Sequence, residues 1–121
     1  MDPLGLTKQK SCDCICEVEL PFERYPQASQ HILDAQQSGH PSVITWRPTG
    51  AKSNRKESLR GIPKVPGKDL DEYPPPSFEE GGAGASIRAI DPSDNRGAGA
   101  FIGNKCRKLP AGSKVKISIK K

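Results

Sequence analysis

The sequence predicts a single small α+β domain with a short antiparallel sheet. Apolar runs at Ile15 to Leu20, Val43 to Trp46 and Val115 to Ile119 have the length of core strands. Between them, Ala28, Ile32 and Ala35 recur at helical spacing. The chain of 121 residues is long enough for one core. With 33% apolar residues, 12 Gly and 12 Pro, that core is modest and much of the chain is loop.

From Cys14 to Leu20 residue types alternate. Ile15, Glu17 and Glu19 fall on one face, and Cys14, Cys16, Val18 and Leu20 on the other, the pattern of a half-buried strand. Pro26 suits the first turn of a helix and Gly39 its stop. A second short strand covers Ser42 to Arg47, and Ala51 to Leu59 forms a short helix stopped by Gly61. From Ile62 to Gly84 the chain is rich in Pro, Gly and acid without periodicity, which reads as an ordered loop. Ser86 to Ile90 is a strand. Ser93 caps a helix running to about Leu109, weakened on propensity by Gly97, Gly99 and Gly103. Lys114 to Ile119 alternates Lys with Val and Ile as a last strand.

The net charge of +5 favours a polyanionic partner, because neutralising phosphates releases counterions. Mild basicity is also common among small soluble domains. No segment has the roughly 20 apolar residues of a membrane helix, and Met1 to Lys10 lacks the apolar centre of a signal peptide. Cys12, Cys14 and Cys16 alternate too closely for a zinc knuckle. They read as free or partly buried thiols, with a disulfide to Cys106 open to a protein working in an oxidising compartment.

Two segments carry candidate chemistry. In Asp69-Leu70-Asp71-Glu72-Tyr73-Pro74 three carboxylates crowd together beside Lys64 and Lys68. Such a cluster can attract a divalent cation through hard oxygens, or raise one carboxyl's pKa toward that of a general base. The bland alternative is a solvated acidic turn. In Ser93-Asp94-Asn95-Arg96, Asn95 offers a neutral oxygen and Arg96 a planar fork for phosphate. The alternative there is helix capping by Asp94 or Asn95. His31 lies mid-helix and His40 precedes a proline, so each reads as structural or exposed. Nucleophile-elbow, phosphate-loop and dinucleotide-binding signatures are absent.

The ordered run Arg55 to Pro63, Pro66-Gly67-Lys68-Asp69, Asp71-Glu72-Tyr73-Pro74, Glu80 to Ala85, Ser93 to Gly99 and Gly103-Asn104 closely resembles the NucA/NucB family of bacterial deoxyribonucleases. The resemblance covers the chain from about Val18 onward. It implies a ββα-metal site, in which two strands and a helix hold one divalent cation, Mg²⁺ or Mn²⁺, against the scissile phosphate. An acidic residue replaces the usual histidine base: Asp71 first, Glu72 second, with Asp69 in support. Asn95, Asn104 and Glu80 are the implied metal ligands, and Arg96 stabilises phosphate charge. Arg55, Lys64, Lys68 and Lys105 are the expected DNA contacts. Two positions depart from the family: Lys105 stands where an amide or acid is frequent, and Ala100 where Ser is frequent.

Asp2-Pro3-Leu4-Gly5-Leu6 resembles the sequence closing the conserved core of Rhs-repeat proteins. That likeness implies a remnant over residues 1–10 and a nuclease toxin over 11–121, with Met1 an added initiator. The implied setting is secretion or translocation into a target cell by type VI-type machinery. The implied partners are DNA, the parent Rhs shell and a cognate immunity protein, with no membrane. Two other readings stand beside this one: a binding module that has lost catalysis, and a non-toxic secreted DNase that scavenges DNA.

Overall fold

The computed structural model describes residues 15–121. The Rhs-like segment, Cys12 and Cys14 lie outside them. In chain order the elements are β1 (Cys16–Pro21), α1 (Pro26–Gln37), β2 (Val43–Thr45), a 3-10 turn (Pro48–Gly50), α2 (Ala51–Ser58), β3 (Asp69–Tyr73), β4 (Ser86–Ile90), α3 (Pro92–Cys106) and β5 (Lys114–Lys120). The chain is α+β, as its sequence predicts.

The sheet differs in detail from the antiparallel expectation. Among the described residues there are two sheets, and the larger one is mixed. In it β5 lies centrally, parallel to β1 and antiparallel to β2. Alternation decides which side chains enter the core. Val18, Leu20, Val115 and Ile117 are buried, while Glu17, Glu19, Lys114 and Lys116 point outward. Ile44 of β2 joins them, and Ala28, Ile32 and Ala35 of α1 with Ala98, Ile102 and Cys106 of α3 complete the cluster. Trp46 packs edge-on against Phe78, with ring centroids 5.3 Å apart.

The second sheet is the hairpin of β3 and β4, in which Asp71 pairs with Arg88 and Tyr73 with Ser86. β3 corrects the reading of residues 62–84 as loop throughout. Its sequence, Asp-Leu-Asp-Glu-Tyr, carries acids that disfavour strand on propensity. Tertiary packing supplies what propensity lacks, because each acid finds a partner on a neighbouring helix. The Tyr73 hydroxyl accepts from Gln36 Nε2 and donates to the Pro41 carbonyl, and burial pushes its pKa up to about 12.

α3 begins at Pro92 with Asp91 as its N-cap residue, rather than being capped by Ser93. Its glycines are not equivalent. A Cβ on Gly97 would sit 2.5 Å from Tyr25 Cε1, whereas one on Gly103 would meet nothing within 4 Å. Gly97 therefore lets the start of α1 approach α3. Gly103→Ala is expected to raise the melting temperature, since a helical Gly costs about 1 kcal/mol against Ala. Gly97→Ala is expected to lower it despite the same propensity gain. Thermal unfolding of the two variants side by side checks the contrast, and a matched rise in both would refute the close-approach explanation.

Among the described residues, Cys16 and Cys106 form no disulfide. Burial, with the nearby Cys16, pushes the Cys106 thiol up to about 11. No helix among the described residues is long and apolar enough to cross a membrane.

Candidate active site

β3, β4 and α3 follow one another in the chain as two antiparallel strands and a helix. A cleft of about 890 Å³ opens beside them. Its lining brings together most of the residues singled out in the sequence: Asp69, Asp71 and Glu72 of β3, Asn95 and Arg96 of α3, Arg55 of α2, and Lys64 and Lys68 of the connecting segment.

Strand geometry divides the three acids. With a side-chain period of two, Asp69 and Asp71 share one face of β3 and Glu72 takes the other. Asp69 lies against α3. Arg96 grips it with Nε at 3.0 Å and Nη2 at 3.2 Å, and Asn95 Nδ2 donates to it at 3.0 Å. Hydrogen bonds from Arg96 and then Asn95 hold the Asp69 carboxyl below the usual carboxylate range. Because the amide nitrogen of Asn95 is committed to Asp69, its carbonyl oxygen is the end left for another partner.

Asp71 lies toward α1. Its Oδ2 is 2.7 Å from His31 Nδ1, while Nε2 of the same ring is 2.9 Å from Ser86 Oγ. The His31 side chain is fully buried, whereas that of Asp71 keeps 17% of its surface exposed. Glu72 turns toward α2. It accepts a short hydrogen bond from Ser58 and pairs with Arg55 at 3.4 Å. Burial raises its pKa above the ordinary carboxylate value, with Ser58 and Arg55 pulling the other way. Both Glu72 oxygens are thus engaged, and Asp71 is the more reachable carboxylate.

Other residues fall elsewhere. Glu80 spends both oxygens on Thr45, accepting from its backbone N–H and its hydroxyl, each at 2.7 Å. Asn104 follows Asn95 by nine residues, about two and a half helical turns, and so points away from it; its side chain is exposed. The structure therefore does not bring Asn104 or Glu80 to Asn95 as a three-residue ligand set. Lys105 holds its ammonium 5.5 Å from the Phe101 ring centroid. Lys68 pairs with Asp91, which Gln27 also binds through its side-chain amide. Asp94 caps a helix, but not its own: its two oxygens accept the backbone N–H groups of Gln27 and Ala28 at the start of α1.

Sequence reading missed His31 and Ser86 as neighbours of the acidic box. A signal for His31 was present. It lies three residues after Ala28 and four before Ala35, on the face of α1 that is buried, and a polar ring on such a face must find a partner. For Ser86 only strand pairing reveals the proximity.

Among the described residues no group of three or more His, Cys, Asp or Glu is arranged to hold a metal ion. What the cleft offers is the Asn95 amide oxygen in the negative potential of Asp69 and Asp71. That donor chemistry fits a hard divalent cation that keeps most of its water shell.

Carboxylates and an amide oxygen, ringed by guanidinium and ammonium groups, suit chemistry at a phosphodiester. Comparison with known proteins gives the same class. Residues 27–118 match the family described as Deoxyribonuclease NucA/NucB, and the chain belongs to that family. It is 43% identical over 99 residues to the DNA-entry nuclease of Bacillus subtilis (strain 168), an alignment spanning 82% of this chain and 67% of that relative.

Proposed function

We propose that the chain is a metal-dependent endodeoxyribonuclease with little sequence preference, and that Asp71 is its general base. The observation that carries this reading is the cleft itself. In a chain of this family, the partly exposed Asp71 carboxylate lines the same cleft as Asn95 and Arg96. Asp71 takes a proton from a water molecule, and the water oxygen attacks phosphorus as the P–O bond to the leaving oxygen breaks. Asn95 would hold the cation, which would supply polarisation of the phosphoryl oxygen and stabilisation of the leaving oxygen. Arg96, with 74% of its side chain exposed, is free to shift from Asp69 to a phosphate and offset the developing charge. Arg55, Lys64 and Lys68 border the path of the DNA backbone and contact phosphates, which accounts for weak sequence preference.

Incubating the full chain with supercoiled plasmid tests this. Nicking and linearisation with Mg²⁺ or Mn²⁺, and intact plasmid with EDTA, are expected. Plasmid bound but uncut with every divalent ion would favour a binding module instead. Degradation that continues in EDTA would remove the metal from the proposal.

The biological setting we propose is that of an interbacterial toxin, the C-terminal effector of an Rhs-repeat protein delivered by type VI-type secretion. The support is the likeness of Asp2 to Leu6 to the end of an Rhs core. A producer of such an enzyme needs a cognate immunity protein. Expression inside a bacterium should be toxic, and a neighbouring gene product should relieve that toxicity. Harmless expression at full nuclease activity would favour a scavenging enzyme.

A further inference from the structure

We infer that His31, backed by Ser86, is a positioning residue for Asp71: the buried imidazole ties down one carboxylate oxygen and leaves the other aimed at the attacking water. The inference rests on the reading of Asp71 as base. Three elements meet at this point. α1 supplies His31, β3 supplies Asp71, and β4 supplies Ser86, whose cross-strand partner Tyr73 stands two residues from Asp71 on the same face.

The hydrogen bonding is self-consistent. An ionised carboxylate only accepts, so Nδ1 of His31 carries the proton and donates to Asp71 Oδ2. The Ser86 hydroxyl can donate to Nε2 or accept from it, so it satisfies the second ring nitrogen whether or not that nitrogen carries a proton. With both nitrogens engaged, the ring is fixed in orientation. Oδ2 is consequently held in place, and Oδ1 is the oxygen left to receive a proton. An imidazole is a poor choice for mere filling of this space. A leucine or phenylalanine would pack there without needing two polar partners.

The experiment measures kcat and KM for plasmid cleavage by the full chain in saturating Mg²⁺, with thermal unfolding of every variant. His31→Phe keeps the bulk and removes the donor. It is expected to lower kcat about 10- to 100-fold, the usual effect of losing a partner that orients a site ligand, with little change in KM. His31→Asn, which can place an amide N–H near Nδ1, should recover most of that loss. Ser86→Ala should lower kcat by a smaller factor. In an Asp71→Asn background His31→Phe should lower the residual rate no further, because both changes disable one unit.

Wild-type kcat in His31→Phe overturns the inference, as does an equal loss with and without Asp71. Should His31→Phe fail to fold, Ser86→Ala decides by the same two measurements: unchanged kcat, or an equal loss in both backgrounds, overturns it. Full activity of Asp71→Asn alone has a different meaning. It removes Asp71 as base, and the role of His31 with it.

Discussion

Asp71→Asn is expected to lower kcat for plasmid cleavage by about 10³-fold, within the range that general acid–base catalysis contributes. The substitution keeps the shape of the side chain and its ability to accept from His31 Nδ1 at the 2.7 Å contact. It removes the basic oxygen that takes the proton from water. Thermal unfolding should change little, because an amide oxygen still satisfies the buried imidazole. The measurement is initial nicking rate against enzyme concentration, alongside a melting curve. A variant that cuts at the wild-type rate returns the base to another residue, with Glu72 next in line. Glu72 would then have to leave Ser58 and Arg55, which hold both its oxygens.

The second large effect is on stability. Asp94 accepts from Gln27 N–H at 3.1 Å and Ala28 N–H at 2.9 Å, so α3 caps the first turn of α1 from across the core. α1 makes no cap with its own N-cap residue, Tyr25. Asp94→Ala loses two charge-assisted hydrogen bonds and leaves two helix N–H groups without that partner, at a cost of about 2–4 kcal/mol. For a domain of this size that corresponds to a fall in Tm of roughly 10 °C. Asp94→Asn, which retains one acceptor oxygen, should fall between the two. Circular dichroism melting checks both, and Tm values within about 2 °C of wild type would refute the cross-helix cap. The same contact bears on function, because the helix it anchors carries His31.

Much of the fold is legible in the residues themselves. Strands β1 and β5 are written in strict alternation, α1 in its apolar spacing and its proline start, and the end of α1 in Gly39, which adopts φ +111°. β3 is not, because acids at Asp69, Asp71 and Glu72 are poor strand formers until Arg96, His31 and Ser58 meet them. The pairing of β1 alongside β5 is likewise invisible locally, since alternation shows that a strand exists but not which strand lies beside it.

The candidate site divides in the same way. The acidic box and the Asn95-Arg96 pair stand out by residue type, and the fold brings them into one cleft. Glu80 and Asn104 share the right chemistry, but Thr45 takes the first and helical rotation turns the second away. His31 is the opposite case, a residue whose sequence position reads as structural or exposed but whose burial obliges it to find partners.

The central place of β5 has a bearing on when this protein can exist. Among the described residues β1 and β2 are joined only through the strand between them, and that strand, residues Lys114–Lys120, follows the other described elements in the chain. While a ribosome still holds those residues, Val18, Leu20 and Ile44 lack the Val115 and Ile117 that complete their layer. The body that supports the cleft is therefore finished only after synthesis has passed the last strand.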